Sequence, residues 1–427
     1  MALEGKIKLQ ESMSNLNYID IFAGAGGLSE GFMKNGFKAI AHIEMNQDAC
    51  FTLKTRLCYY YLMEHGRIND YYRYLRGEIS RDTLYSLVPE LLLDTVINEK
   101  LCEENLHLVF GKIERLMRLQ GIDHIDLLVG GPPCQAYSLI GRARKTKDNK
   151  MIGDPRNFLY KLYYQVLIRY KPLMFVFENV PGVLTANNGI YFADMQKKFK
   201  IAGYNIDYKI LNASDFGVLQ NRRRVILIGW QSHLNYKYPK FDTVSNDFTV
   251  NEIFSDLPPL QAGEQKDQYE TEPTRYLQWS DIRNKNDILT WHVARPNIAR
   301  DREIYKMVIH TWNTEKRRLK YTDLPPELCT HRNRTAFLDR FKVVAGDLPF
   351  SHTLVAHISK DGHYFIHPDY GQARSISVRE AARIQSFPDN FFFEGSRTSA
   401  FVQIGNAVPP LMASGIAQAL KREMMKE

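Results

Sequence analysis

The chain has 427 residues, 44% of them hydrophobic, with a formal charge of +8, enough apolar material for a large core and, at about 100–200 residues per domain, for two or three domains. No apolar stretch approaches the roughly 18–20 residues of a membrane span, and the N-terminus lacks the apolar run of a secretory signal, so a cytoplasmic location is expected. The cysteines (Cys50, Cys58, Cys102, Cys134, Cys329) are sparse and form no CxxC pair, which argues against a disulfide framework or a structural zinc site, while the basic balance favours a polyanionic partner without identifying one.

The N-terminal half alternates strand and helix patterns. Tyr18–Phe22 reads as a first strand, Gly24-Ala25-Gly26-Gly27 as a turn, and Leu28, Phe32 and Met33 as one face of a helix. Lys38–Ile43 is a second strand ending in Glu44. A glycine turn lets backbone amides approach a cofactor, and an acid about twenty positions on suits a ribose diol. The pattern fits nicotinamide, flavin and S-adenosylmethionine enzymes alike, and its third glycine is not placed as GxGxxG. Phe51–Asn105, rich in tyrosine and arginine, reads as inserted helices; such aromatic and basic residues either touch nucleic acid or pack onto their own domain. Further strands are expected at Leu106–Phe110, Ile125–Val129, Met174–Phe177 and Val225–Ile228, giving an α/β fold with a doubly wound, mostly parallel sheet.

Gly130-Gly131-Pro132-Pro133-Cys134 follows the apolar run Ile125–Val129. Two prolines fix two φ angles and extend the residue before them, so the Cys134 thiol projects from a stiff turn just past a strand. Glu178 closes the apolar strand Phe175-Val176-Phe177, where a carboxyl can keep its proton and donate to a ring nitrogen. In Gln220-Asn221-Arg222-Arg223-Arg224, strand alternation sends Arg222 and Arg224 to one face and Arg223 to the other, against a core strand, which favours positioned contacts over a solvated face. From Gln231 the alternation stops and a second, smaller domain begins. Lys360-Asp361-Gly362 between Ser351–Ser359 and His363–His367 reads as a hairpin. The four histidines there (His352, His357, His363, His367) fit no zinc spacing, so no metal site is expected. Leu411–Met425 reads as a helix that packs back on the sheet.

Taken in order, these segments resemble the cytosine-5 DNA methyltransferases of bacterial restriction-modification systems. Asp20–Phe32 resembles the cofactor loop, Gly130–Ser138 the nucleophile loop, Glu178-Asn179-Val180 the acidic tripeptide and Gln220–Arg224 the arginine motif. Arg379–Asp389 resembles the late helix and Gln403–Pro410 the closing motif. The resemblance implies a Rossmann-like S-adenosylmethionine-dependent methyltransferase sheet with a smaller target-recognition domain. The corresponding division is 1–244 for the catalytic domain with its insertion at about 51–105, 245–350 for target recognition, and 351–427 returning to the catalytic domain.

The resemblance assigns Cys134 as the thiolate that adds to carbon 6 of a flipped cytosine, and Glu178 as the group that binds or protonates ring nitrogen 3. Arg224, with Arg222 nearby, would hold the base oxygen and the backbone, and Asn179 would orient the loop. It gives Phe22, Gly24, Gly27 and Glu44 to S-adenosylmethionine, Pro132 to the methyl end and Asn406 to the pocket floor. Gln135–Lys150 would close over the DNA. Among Arg283, Arg295, Arg300, Arg317, Arg318, Arg332 and Arg334 would be readers of guanine. Double-stranded DNA is the implied partner of a monomer; a restriction endonuclease acting on the same site is allowed but not required as a subunit.

Two departures stand out. Gly111-Lys112-Ile113 occupies the place of a Gly-Asp-Ile whose aspartate accepts from the adenine amine, and a lysine offers no acceptor; Leu219 replaces a common proline. The rival readings are a transfer-RNA cytosine-5 methyltransferase, whose Cys-Phe-Thr signature has no counterpart in a matching place, and a DNA-binding protein whose cofactor site Lys112 disables.

Overall fold

A computed structural model describes residues 16–133, 158–245, 247–330, 333 and 338–426. Its centre is a seven-stranded sheet in the order β3-β2-β1-β4-β5-β7-β6. The strands are β1 (Asn17–Ile21), β2 (Lys38–Glu44), β3 (Val96–Asn98), β4 (Leu127–Gly130), β5 (Met174–Asn179), β6 (Tyr204–Asn212) and β7 (Arg223–Gln231). The first five pair in parallel, and β7 runs antiparallel to both β5 and β6.

Strand alternation sorts the sheet's apolar residues into two buried layers. Ile19, Ile21, Leu128, Phe175, Phe177 and Val225 meet Ile113 of α6 (Leu106–Gln120), Val166 of α7 (Leu159–Tyr170) and Phe199 of α8 (Ile190–Ile201). Tyr18, Leu127, Val129, Val176 and Ile226 face Phe32 of α1 (Gly27–Lys34) and Met412, Ile416 and Leu420 of the C-terminal helix Pro410–Met424.

The insertion forms α2 (Gln47–Glu64), α3 (Ile68–Leu75), α4 (Arg81–Ser86) and α5 (Glu90–Asp94), followed by β3. Its aromatic residues pack inward. Arg56 donates to both Glu30 oxygens at 2.8 and 2.5 Å and to Asn390 Oδ1 at 2.9 Å, beneath the Tyr59 ring, and Tyr71 donates to Asn390 O.

Two expected elements differ. Leu106–Phe110 opens helix α6, whose buried Val109, Ile113 and Leu116 hold the helical period and whose end is capped by Gly121 at φ 65. The Asp361-Gly362 hairpin does not form. Ala356–Ser359 is a 3-10 turn, Ile366 makes isolated bridges to Val343 and Ser375, and His352 stacks on Phe365.

Beyond the sheet, Ile304, Tyr305, Val308 and Ile309 of α9 (Ala299–Glu315) build a separate core with Leu319, Tyr321, Phe341 and Ile366. Residues 248–282 instead share a core with 354–404, around α10 (Val378–Ile384), whose Arg383 pairs with Asp389 and Asp256. Two last helices, α11 (Arg397–Asn406) and α12 (Pro410–Met424), close the chain.

Candidate active site

The carboxyl ends of β1, β2, β4 and β5 share one edge, and the chain runs outward from β1 through β2 and β3 before crossing back to β4 on the other side of β1. The crevice between β1 and β4 is therefore the switch point at which open α/β sheets bind ligands.

On the β1 side Phe22 and Gly24 both have positive φ, 60 and 56, a conformation costly for phenylalanine that recurs where backbone is held for function. Gly24 N donates to Glu44 Oε2 at 2.9 Å and Asn46 N to Oε1 at 2.7 Å, which leaves about two of the carboxylate's four lone-pair positions for a diol. A Cβ placed on Gly24 would meet nothing within 4 Å, so this loop borders open space, as a cofactor cradle requires. Gly27 does something else. Its Cβ would fall 2.4 Å from Val408 O and 2.9 Å from Ala407 Cβ; the glycine is there for the closing motif. Beneath the loop, buried Asp20 accepts from Ser29 Oγ at 2.6 Å, and burial pushes its carboxyl up to about 7.

Two residues at this edge escaped the sequence reading. Met45 is 63% exposed directly after Glu44. Asn98, at the tip of β3, lies beside Glu44 in register and donates to Glu44 O at 3.1 Å and Met45 O at 3.2 Å. Gly111-Lys112-Ile113 lies within helix α6 rather than at a strand end, so the comparison drawn from sequence was misplaced by one element. Among the described residues, Lys112 meets this edge through an ion pair with Glu99, at 2.6 Å.

On the β4 and β5 side, Glu178 Oε1 lies 2.7 Å from Arg224 Nε, with both side chains largely buried. Antiparallel register sets Glu178 opposite Ile226 and so brings Arg224, two residues earlier on β7, across to it. A Cβ on Gly131 would lie 2.5 Å from Glu178 Oε2; only glycine lets the backbone cross the carboxyl so closely. Asn179 Nδ2 donates to the carbonyl of buried Pro132 at 3.2 Å while its Oδ1 accepts from Val180 N at 2.9 Å. Asn179 thereby holds the backbone two residues before Cys134. Cys134 itself and the loop Gln135–Lys150 lie outside the described residues.

Arg222 has a different occupation from the one expected. It is buried, and its guanidinium donates to the carbonyls of Leu354, Gly405 and Ala407. It is part of the scaffold, while Arg224 faces Glu178. Asn406 is exposed at the end of α11, next to the Ala407 that packs on Gly27.

The arginines offered as base readers also separate. Arg283 is buried against Asp256 and donates to Thr271 O. Arg295 donates to the carbonyls of Lys360 and Ile358. Arg317 pairs with Glu315 and Asp323, and Arg300 with Asp301. Arg318 is exposed, and Arg332 and Arg334 lie outside the described residues.

Known proteins converge on the same reading. The chain is 43% identical to the type II methyltransferase M.Bpa9945I of Bacillus paralicheniformis, over 94% of this chain and 98% of that one. It is 30% identical to the putative type II methyltransferase M.OihORF3336P of Oceanobacillus iheyensis, over 95% of each. Among solved structures, a putative DNA modification methyltransferase encoded within an Escherichia coli prophage aligns with a TM-score of 0.63 at 22% identity, covering 96% of this chain and 99% of that chain. The Entamoeba histolytica methyltransferase EhMeth aligns at 0.56 and 13%, covering 96% and 99%; both share the fold. The model of C-5 cytosine-specific DNA methylases matches residues 16–82 and 97–422, and the chain belongs to that family.

Proposed function

We propose that this DNA cytosine methyltransferase acts on a cytosine flipped out of duplex DNA, through a covalent Cys134 adduct, as the modification enzyme of a restriction-modification system. The observation that carries the reading is the Glu178–Arg224 pair lying directly beneath the Gly131-Pro132 backbone that leads into Cys134. The type II methyltransferase names of the relatives support the biological setting.

S-adenosylmethionine, the cofactor class the family implies, supplies an electrophilic methyl group when bound. The residues at the edge fit it. Glu44 has acceptor capacity left for the ribose diol, Gly24 borders open space, and exposed Met45 and Asn98 would offer an adenine ring an apolar face and a polar edge. On this reading Asn98, not Lys112, would meet the adenine edge, and the lysine would not disable cofactor binding. Pro132 would face the methyl group and Asn406 the floor of the pocket.

Carbon 5 of cytosine is a poor nucleophile until the ring is activated. Addition of the Cys134 thiolate to carbon 6 breaks the 5,6 double bond and makes carbon 5 enamine-like. Glu178 binds or protonates nitrogen 3 as charge moves into the ring, and Arg224, held by Glu178, donates to the base oxygen. After methylation the carbon 5 proton leaves to solvent, the double bond reforms and Cys134 is expelled. Reaching carbon 6 requires the base to leave the stack, at a cost of a few kcal/mol. Within residues 245–350 we assign target recognition to the part from 299 onward, which builds the core apart from the sheet, with exposed Arg318 as a candidate base contact.

The test is to incubate the protein with methyl-labelled S-adenosylmethionine and mixed-sequence duplex DNA and digest to nucleosides. Label is expected in 5-methyldeoxycytidine and is lost in Cys134→Ala. A duplex carrying 5-fluorodeoxycytidine at the mapped site should trap a covalent complex, because fluorine cannot leave as the proton does. Label on adenine, or full activity of Cys134→Ala, would overturn the reading.

A further inference from the structure

The basic run that leads into β7 contains two inward-facing arginines, Arg222 just before the strand and Arg224 on it, and the geometry gives them separate tasks. We propose that Arg222 is a positioning residue that fixes the floor of the cofactor pocket, acting through the closing motif and not through the base. This rests on the cofactor reading above.

Arg222 Nη1 donates to Leu354 O at 2.6 Å, and Nη2 to Gly405 O at 3.1 Å and Ala407 O at 2.8 Å. Two buried glutamines extend the clasp. Gln220 Nε2 donates to Gln385 Oε1 at 2.8 Å and to Ile384 O at 3.1 Å, while its Oε1 accepts from Leu354 N at 2.9 Å. Gln385 Nε2 donates to Ile404 O at 2.7 Å and Ala407 O at 3.3 Å. Four segments remote in sequence thus meet on one guanidinium and two amides, all at most 1% exposed.

The carbonyls of 405 and 407 bracket Asn406, and Ala407 and Val408 abut Gly27. Arg222 therefore sets where the closing motif lies against the cofactor loop. A planar fork that reaches three carbonyls suits arginine; a lysine ammonium at the same place cannot span them. Arg224, one strand period on, spends its Nε on Glu178 and serves the reacting ring.

The two roles separate in kinetics. In Arg222→Met, the KM for S-adenosylmethionine and its Kd by calorimetry should rise about tenfold or more, a loss of the size of one or two hydrogen bonds. At saturating cofactor and DNA, kcat should stay within about threefold of wild type. Arg222→Lys, which keeps the charge and one carbonyl, should fall between the two and serves if the methionine variant does not fold. A fall in kcat with unchanged cofactor affinity would return Arg222 to the reacting base and overturn the proposal. Lowered thermal stability with unchanged cofactor affinity would also overturn it, as a purely structural role. Wild-type protein that binds no S-adenosylmethionine would instead sink the cofactor reading itself.

Discussion

Gly131 shows how one absent methyl group shapes the site. Its Cα passes so close to Glu178 that a Cβ would lie 2.5 Å from Oε2, a distance at which one partner must move. Glu178 is held on its other side by Arg224, so Gly131→Ala should push the carboxyl off its position or shift the backbone that carries Pro132. Displacement of about 1 Å at a reacting group can cost on the order of a hundredfold. Methyl-transfer kinetics on Gly131→Ala should show a fall in kcat of about that size with cofactor Kd unchanged; an unaltered kcat would mean that the contact does not position Glu178. The same two residues show what sequence can carry. Glu178 was legible because it ends an apolar strand, and Gly131 because it precedes two prolines. Their mutual contact was not, since it depends on β4 and β5 being neighbours.

Among the elements, the strongly periodic ones were legible and the short ones were not. β1, β2, β4, β5 and β7 are buried apolar runs flanked by turn residues, and such runs declare themselves. β3 has three residues and β6 exposes most of its length, so neither carries a clear period. Leu106–Phe110 misled because five apolar-rich residues fit a buried strand as well as a helix start. Missing β3 also turned attention to Lys112, which lies within helix α6, and away from Asn98 at the tip of β3. The insertion illustrates tertiary override: its tyrosines and arginines resembled a nucleic-acid surface, yet Arg56 is bound by Glu30 and Asn390. Removing Arg56 would strand a buried carboxylate, at a cost of about 3–5 kcal/mol. Arg56→Met should lose that much in urea unfolding, whereas Arg76→Ala, at the exposed surface, should change stability by no more than about 0.5 kcal/mol.

Across the whole molecule, buried ionisable groups set a pH response. Burial lowers His42 and His352 to about 4 and His367 to about 3. A histidine held neutral in the fold gains protons only on unfolding, so its stability is present above the ordinary value near 6.5 and is lost as pH falls toward 4. Asp20, raised to about 7, and Asp287, raised to about 6, act oppositely over part of that range, because the folded carboxyls take up protons first. Burial also lowers His292 and His363, so five histidines stand against two acids, and the melting temperature should fall between pH 6.5 and 4. His42, whose two ring nitrogens have no hydrogen-bond partner among the described residues, isolates one contribution. His42→Leu should flatten the dependence by one proton, measured as the difference in unfolding free energy between the two proteins across that range; parallel curves would show that His42 titrates normally in the fold.

The packing of Val408 and Ala407 on Gly27 also has a bearing on timing. The loop that carries Gly27 leaves the ribosome well before the segment that packs on it. At about 5–20 residues per second, the interval between them is on the order of 20–80 s. Throughout that time the nascent chain holds the glycine loop without the segment that packs on it, so the contact at Gly27 forms only after the whole sheet has been made.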